Sequence, residues 1–135
     1  MPRSARISAE VLFRALADRT RLRLLNLMNG QELCVCYFVG VLSTNQPKIS
    51  RHLAYLRRAG IVAARKDGKW MHYRIAVPPN DAAAKILKQT LDWLAHDPEM
   101  RHDLTLLNKA CCSPNALVEI EGAPPPIPMQ PLGAA

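Results

Sequence analysis

The residues best suited to chemistry are four cysteines in two close pairs: Cys34 and Cys36 in ELCVCYF, and Cys111 and Cys112 in KACCSPN. A lone cysteine more often serves as a small buried hydrophobe. Two close pairs read as ligands instead. All-sulfur ligation suits soft centres, namely trivalent arsenic or antimony, monovalent copper, cadmium, lead or zinc. Vicinal thiols such as Cys111 and Cys112 rarely close a relaxed disulfide but readily chelate a thiophilic centre. The Cys-x-x-Cys spacing of a structural zinc module does not occur. Cys34 falls at the cap of a short helix and Cys36 in its first turn. Residues two apart in a regular helix point about 200° apart. A ligand that needs both sulfurs is therefore expected to unwind or twist that turn, and so to move the next element of the chain.

That next element lies in residues 44 to 60, TNQPKISRHLAYLRRAG. Asn45 can cap a helix there, Pro47 is tolerated in the first turn, and Gly60 supplies the stop. Ile49, Leu53 and Leu56 make an apolar stripe at helical spacing. Gln46, Lys48, Ser50, Arg51 and His52 crowd the other side and the N-terminal end. Such side chains can donate to base edges and phosphates. A helix buried on one side and polar at its start reads as a recognition helix in a major groove. The plainer alternative is an amphipathic helix with a solvated basic face.

The neighbouring elements favour DNA. A helix over 8–18 starts at Ser8, and another runs from Arg19 to Met28, stopped by Gly30. The Asp18–Arg21 corner between them reads as a cap and a local ion pair. A third helix, Val35 to Leu42, leads through a three-residue turn into the recognition helix, giving a helix-turn-helix. From Ile61 to Val77 two extended stretches flank Asp67-Gly68, a strong hairpin signal. Arg65, Lys66 and Lys69 surround its tip. A basic hairpin after a recognition helix is the wing of a winged helix. Residues 43–74 carry eight Lys/Arg against one acid. Trp70 and Tyr73 read as packing residues, and His52 and His72 as members of the DNA-facing region.

Pro78-Pro79 ends the hairpin. Asp81 is expected to cap a helix of about 14 residues. Ile86, Leu87, Leu91, Leu94 and Trp93 give that helix more apolar surface than a small domain needs, which points to a symmetry mate. A further short helix is expected from Pro98 to Lys109. The organisation is thus 1–97, a DNA-binding and dimerisation domain; 98–121, a helix and the Cys-Cys segment; and 122–135, a proline-rich disordered tail. The fold class is mainly α with a small β-hairpin, a winged helix-turn-helix dimeric through terminal helices.

Bulk properties agree. The chain has 135 residues and a net charge of +7, room for one domain and a bias towards an anionic partner. No run approaches the roughly 18 apolar residues of a membrane span. MPRSARISAE has no apolar core behind its basic residues, so it is not a signal peptide. The expected location is cytoplasmic, with no membrane partner and reduced thiols.

The run ELCVC, with QPKISRHLAYLRRAGIV and DGKWMHYRI, resembles the ArsR/SmtB family of metal- and metalloid-responsive winged-helix repressors, and its arsenic-responsive members most. The similarity spans roughly residues 8 to 95. The resemblance implies a homodimer joined by its terminal helices. It implies an operator DNA partner and release when an inducer binds cysteines. The inducer would be As(III), as arsenite or methylarsenite, or Sb(III), with no permanent cofactor. One departure matters. Arsenic-responsive members often carry a third thiol in the same helix, where this chain has Tyr37, Phe38 and Val39. Three of Cys34, Cys36, Cys111 and Cys112 are therefore expected to bind, within one subunit or across the dimer. A two-thiol site for a monosubstituted arsenical is the alternative. Asp92, His96 and His102 do not match the family's zinc spacing. Two other readings compete. One keeps the DNA function with cadmium, lead, copper or thiol oxidation as input. The other, a thiol-dependent enzyme, lacks a nucleophile motif and leaves the basic helix unexplained.

Overall fold

The computed structural model describes residues 7–112 and 124–132. Local sequence signals set most of the helix starts. α1 (Ala9–Leu16) is capped by Ser8, whose side chain accepts from the Val11 amide. α2 (Arg19–Met28) is capped in the same way by Asp18, which accepts from the Arg21 amide. α3 (Val35–Leu42) ends at Ser43, in the left-handed region at φ 52°. Three residues later α4 (Gln46–Arg58) begins, with the Asn45 side chain accepting from the Lys48 amide at 2.9 Å. Gly60, at φ 84°, turns the chain out of α4 into the hairpin.

The hairpin comprises β2 (Val62–Asp67) and β3 (Trp70–Ile75), with Asp67 opposite Trp70 and Gly68 at φ 61° in the turn. α5 (Asp81–Leu94) comes next, then α6 (Pro98–Cys112). The cap of α5 is Asn80, not Asp81: its side chain accepts from the Ala83 amide at 3.1 Å. Asp81 occupies the first turn and pairs with Lys85 on the surface.

Two strands lie outside the sequence expectations. β1 (Gln31–Cys34) pairs antiparallel with β3, placing Leu33 opposite Tyr73 and Cys34 opposite His72. Its four residues, QELC, are too short to show a period. The other strand is β4 (Ile127–Pro128), which pairs with the free edge of β1, so the sheet order is β2-β3-β1-β4. Residues 124–132, expected to be disordered, thus lie against the fold. Proline forbids a central strand but not an edge strand, where its missing N–H faces away from the ladder.

The core joins all six helices to β1 and β3. Leu12, Leu24, Leu25, Phe38, Ile49, Leu53, Leu56 and Leu87 are at most 1 % exposed. Each such side chain contributes about 1.5–3 kcal/mol on burial. Phe38 meets Tyr73 edge-on at 6.4 Å, tying α3 to the hairpin. α6 reaches three residues beyond its expected end, and packs against α2 and α3 through Met100, Leu107 and Ala110. Asp103 of α6 is fully buried and receives two bonds from Arg23, at 2.8 and 2.9 Å.

A thiol pair behind a candidate nucleic-acid interface

α4 buries Ile49, Leu53 and Leu56 and leaves Gln46, Lys48 and Arg51 exposed, with Ser50 partly so. This is the division expected from the sequence. It arises from the apolar stripe, which fixes the rotation of the helix on the core. Lys48 and Arg51 have no carboxylate partner among the described residues. His52 differs. Its side chain is only 19 % exposed and lies 3.9 Å from Asp18. Burial is the main cause holding its pKa down, with help from Arg21, Lys48 and Arg51 and opposition from Asp18. At neutral pH it is a neutral imidazole rather than a cation. A neighbouring feature has no signal in the sequence. Arg21 stacks on the Tyr55 ring at 4.2 Å, so α2 and α4 share a basic cleft also lined by Lys48, Arg51 and Arg58. Arginines of two different helices meet there only through the fold.

In the wing, Lys66 and Lys69 are exposed, and Lys69 lies over the Trp70 ring at 5.0 Å. Arg65 is otherwise engaged. Its guanidinium donates to Glu32 Oε1 at 2.6 and 2.9 Å, while Arg74 reaches Oε2 at 3.4 Å. Burial opposes ionisation of Glu32, but the Arg65 bonds and the nearby positive charge hold its carboxyl below the usual range. Arg65 therefore clamps the wing to β1. Glu32 escaped the sequence reading because β1 did. His72, placed by sequence in the DNA-facing region, is 1 % exposed, and neither ring nitrogen has a hydrogen-bond partner among the described residues. It sits opposite Cys34 on β1 and opposite Arg65 on β2. A single cross-strand row thus joins the thiol pair to the wing.

The thiols are closer than helical geometry allows. Cys34 is the last residue of β1 and caps α3 with extended φ and ψ of −66° and 145°. Its Sγ lies 3.2 Å from Cys36 Sγ. Unwinding of the turn, expected from the sequence, is not needed, because only Cys36 is helical. Two metal–thiolate bonds of about 2.3 Å span such a gap. The Cys36 S–H donates to Cys34, which brings the Cys34 pKa down to about 6 against the opposing effect of burial. The amides of Cys36 and Val35 at the helix start also favour the anion. The bond it donates to Cys34, together with burial, pushes the Cys36 thiol up. The pair is thus a thiolate with a thiol donating to it. Among the described residues no three His, Cys, Asp or Glu side chains could hold a metal ion together. Cys111 and Cys112 end α6, and their side chains lie outside the described residues.

An apolar face remains elsewhere on the molecule. Phe13 of α1 is 53 % exposed and Trp93 of α5 is 79 % exposed. With Leu16, Leu22 and Leu94 they line one groove between α1 and α5. α5 turns Leu87, Leu91 and Leu94 into its own core and leaves Trp93 outside. No helix among the described residues is long and apolar enough to cross a membrane.

Known proteins share this sequence and shape. The family described as "Bacterial regulatory protein, arsR family" matches residues 18–64. The arsenical resistance operon repressor of Escherichia coli K12 is 42 % identical over 103 residues, covering 76 % of this chain and 86 % of that protein. Among solved structures, HlyU from Vibrio cholerae superposes with a TM-score of 0.57 at 28 % identity, over 65 % of this chain and 92 % of HlyU. The antimony-specific transcriptional repressor AntR gives a TM-score of 0.50 at 29 % identity, over 64 % of this chain and 76 % of AntR.

Proposed function

Because this chain belongs to the arsR family of bacterial regulatory proteins, we propose that it is a homodimeric repressor released from operator DNA by trivalent arsenic. The observation that carries the inducer is the 3.2 Å approach of the Cys34 and Cys36 sulfurs at the start of α3, one short helix before α4. The E. coli relative is named for arsenical resistance, and AntR for antimony, which supports the choice of a thiophilic trivalent centre. Gln46, Lys48, Ser50 and Arg51 read the major groove, with His52 as a neutral hydrogen-bonding group. Lys66 and Lys69 of the wing contact phosphate. Phe13 and Trp93 belong to the dimer face, which sets two recognition helices at the spacing of two half-sites. Cys34 and Cys36 supply two sulfurs, and Cys111 or Cys112 the third.

Cys34 is the last residue of β1, so an inducer that also bonds a third sulfur outside the pair pulls on the end of that strand. β1 carries Glu32, which holds Arg65 and Arg74, so a shift of β1 reaches the wing directly. On its other side Cys34 adjoins α3, which leads into α4. Both DNA-contacting elements thus hang from one residue pair.

The experiment is fluorescence anisotropy of a labelled promoter fragment with reduced protein, titrated separately with arsenite, methylarsenite, antimonite, cadmium and zinc. Release by an arsenical near one equivalent per site, and none by zinc, is the expected result. Tight binding that no arsenical disturbs overturns the inducer. The same thiol–thiolate contact favours a second reading, oxidation to a Cys34–Cys36 disulfide, and a peroxide titration separates it.

A further inference from the structure

Two arginines of the wing meet on one carboxylate. Glu32 accepts from Arg65 through Oε1 and from Arg74 through Oε2, and it is only 5 % exposed. The strand that carries it, β1, has just four residues. β3 holds one edge of β1, and among the described residues β4 alone holds the other. An ion pair open to water is weak, whereas one closed off from water is strongly resisted from breaking. Whatever closes off Glu32 therefore governs how firmly the wing is held.

The stretch 124–132 lies along that second edge. Ile127 is the register partner of Glu32 itself, and Pro128 that of Gln31. Register partners share a face of the sheet, so the Ile127 side chain stands beside the carboxylate. Three further bonds fasten the stretch. The Tyr37 hydroxyl donates to the Pro124 carbonyl at 2.8 Å, the Met129 amide to the Gly30 carbonyl at 2.8 Å, and the Leu132 amide to Asn29 Oδ1 at 3.0 Å. Gly30 suits this contact twice over. It holds φ at 100°, and Pro131 Cγ comes within 3.4 Å of where a Cβ would stand. Met129, Pro131 and Leu132 then share one apolar groove with Met28, Ile75 and Val77. The stretch is thus tied to α3, to β1 and to the turn after α2. It carries no charged side chain, so it has no cation of its own to offer phosphate.

We propose that residues 124–132 form a strap that positions the wing for DNA: it shields Glu32 from water, and Glu32 in turn fixes Arg65 and Arg74. The proposal rests on the DNA-binding reading above. With the strap in place, Arg65 stays on Glu32, and the hairpin keeps one orientation in which Lys66 and Lys69 meet phosphate. With the strap away, water reaches the carboxylate through the free edge of β1, and the pair loosens. The wing must then be ordered when DNA binds, which lowers affinity.

The test uses full-length, reduced protein. Met129→Pro with Leu132→Pro removes two N–H donors of the strap. Ile127→Asp sets a second carboxylate beside Glu32, and Ile127→Leu keeps the apolar cover. Ile127 is 41 % exposed, so neither change at that position disturbs the core. Without DNA, NMR follows exchange of the Arg65 Nε–H with water. With DNA, anisotropy gives operator affinity at fixed salt. The double-proline variant and Ile127→Asp are expected to exchange this proton faster and to bind operator about tenfold more weakly, with helical content unchanged. Ile127→Leu behaves as wild type. Glu32→Gln weakens binding to a similar degree, and adding the two prolines to it weakens binding no further, whereas adding Lys48→Ala does. Wild-type exchange, or wild-type operator affinity, in both strap-breaking variants overturns the proposal. So does a fully additive loss on the Glu32→Gln background, which gives the strap a route other than Glu32. If even the wild type binds no operator, the regulatory reading falls, and Arg65 exchange alone still shows whether the strap shields the pair.

Discussion

Cys34 and Cys36 are two residues apart, yet only one of them is helical. That break in conformation brings the sulfurs to 3.2 Å and lets one thiol donate to the other. Replacing Cys36 by Ala removes the donor, so the Cys34 pKa is expected to rise from about 6 towards the ordinary thiol range. Thiolate absorbance at 240 nm, taken as the difference from Cys34→Ser, reads this directly. A thiol whose pKa is lowered on folding stabilises the fold above its unfolded pKa, and loses that contribution as pH falls through about 6. Chemical denaturation between pH 9 and 5 is expected to show this loss in the wild type and not in Cys36→Ala. The residue types and the spacing of this pair stood plainly in the sequence. Their approach did not, because it depends on Cys34 belonging to β1, a strand recognisable only by its partner β3.

At the scale of elements, α4 was legible almost to the residue. Cap, proline, apolar stripe and terminal glycine all act locally and agree. Asn45→Ala is expected to cost about 1 kcal/mol of stability by removing the cap, measured by urea unfolding. Lys48→Ala and Arg51→Ala are each expected to weaken operator binding while the fold stays intact. Removing a phosphate contact lowers the slope of log K against log salt by about 1, and removing a base contact costs about 1–3 kcal/mol. Wild-type affinity in both variants would remove α4 from the interface. The wing was legible as a hairpin, but its charges were not. Arg65 and Lys66 are adjacent in sequence, and only Arg65 faces Glu32. Lys66→Ala is expected to weaken DNA binding without loss of stability, while Arg65→Ala destabilises the wing by leaving Glu32 with Arg74 alone.

At the scale of the molecule, hydropathy marked Ile86, Leu87, Leu91, Trp93 and Leu94 of α5 as apolar surface to spare; Trp93 alone of the five is exposed, while Leu87, Leu91 and Leu94 are buried in the protomer's own core. Trp93→Glu is expected to shift the protein towards monomer in sedimentation velocity and to weaken operator binding, with the helical content unchanged. α6 went the other way. It reads as a short appended helix but fills the core, where its Asp103 meets Arg23, 80 residues away. No local pattern announces a pair at that separation. Asp103→Ala, which leaves a partly exposed Arg23 with only its 3.9 Å contact to Glu99, is expected to cost up to about 3 kcal/mol, the low end for a broken buried pair. The prolines after Glu121 suggested a chain with no fixed place, since composition cannot show that β1 has an edge to fill.

β4 also limits how the protein meets copies of itself. An uncovered strand edge is a template on which another chain can add and polymerise. Here the edge of β1 is taken by a two-residue strand. Pro128 and its neighbours Pro126 and Pro131 lack the N–H groups that a fifth strand would need. The sheet is therefore finite by composition, and this end of it resists growth at concentrations where a bare β1 would invite fibres.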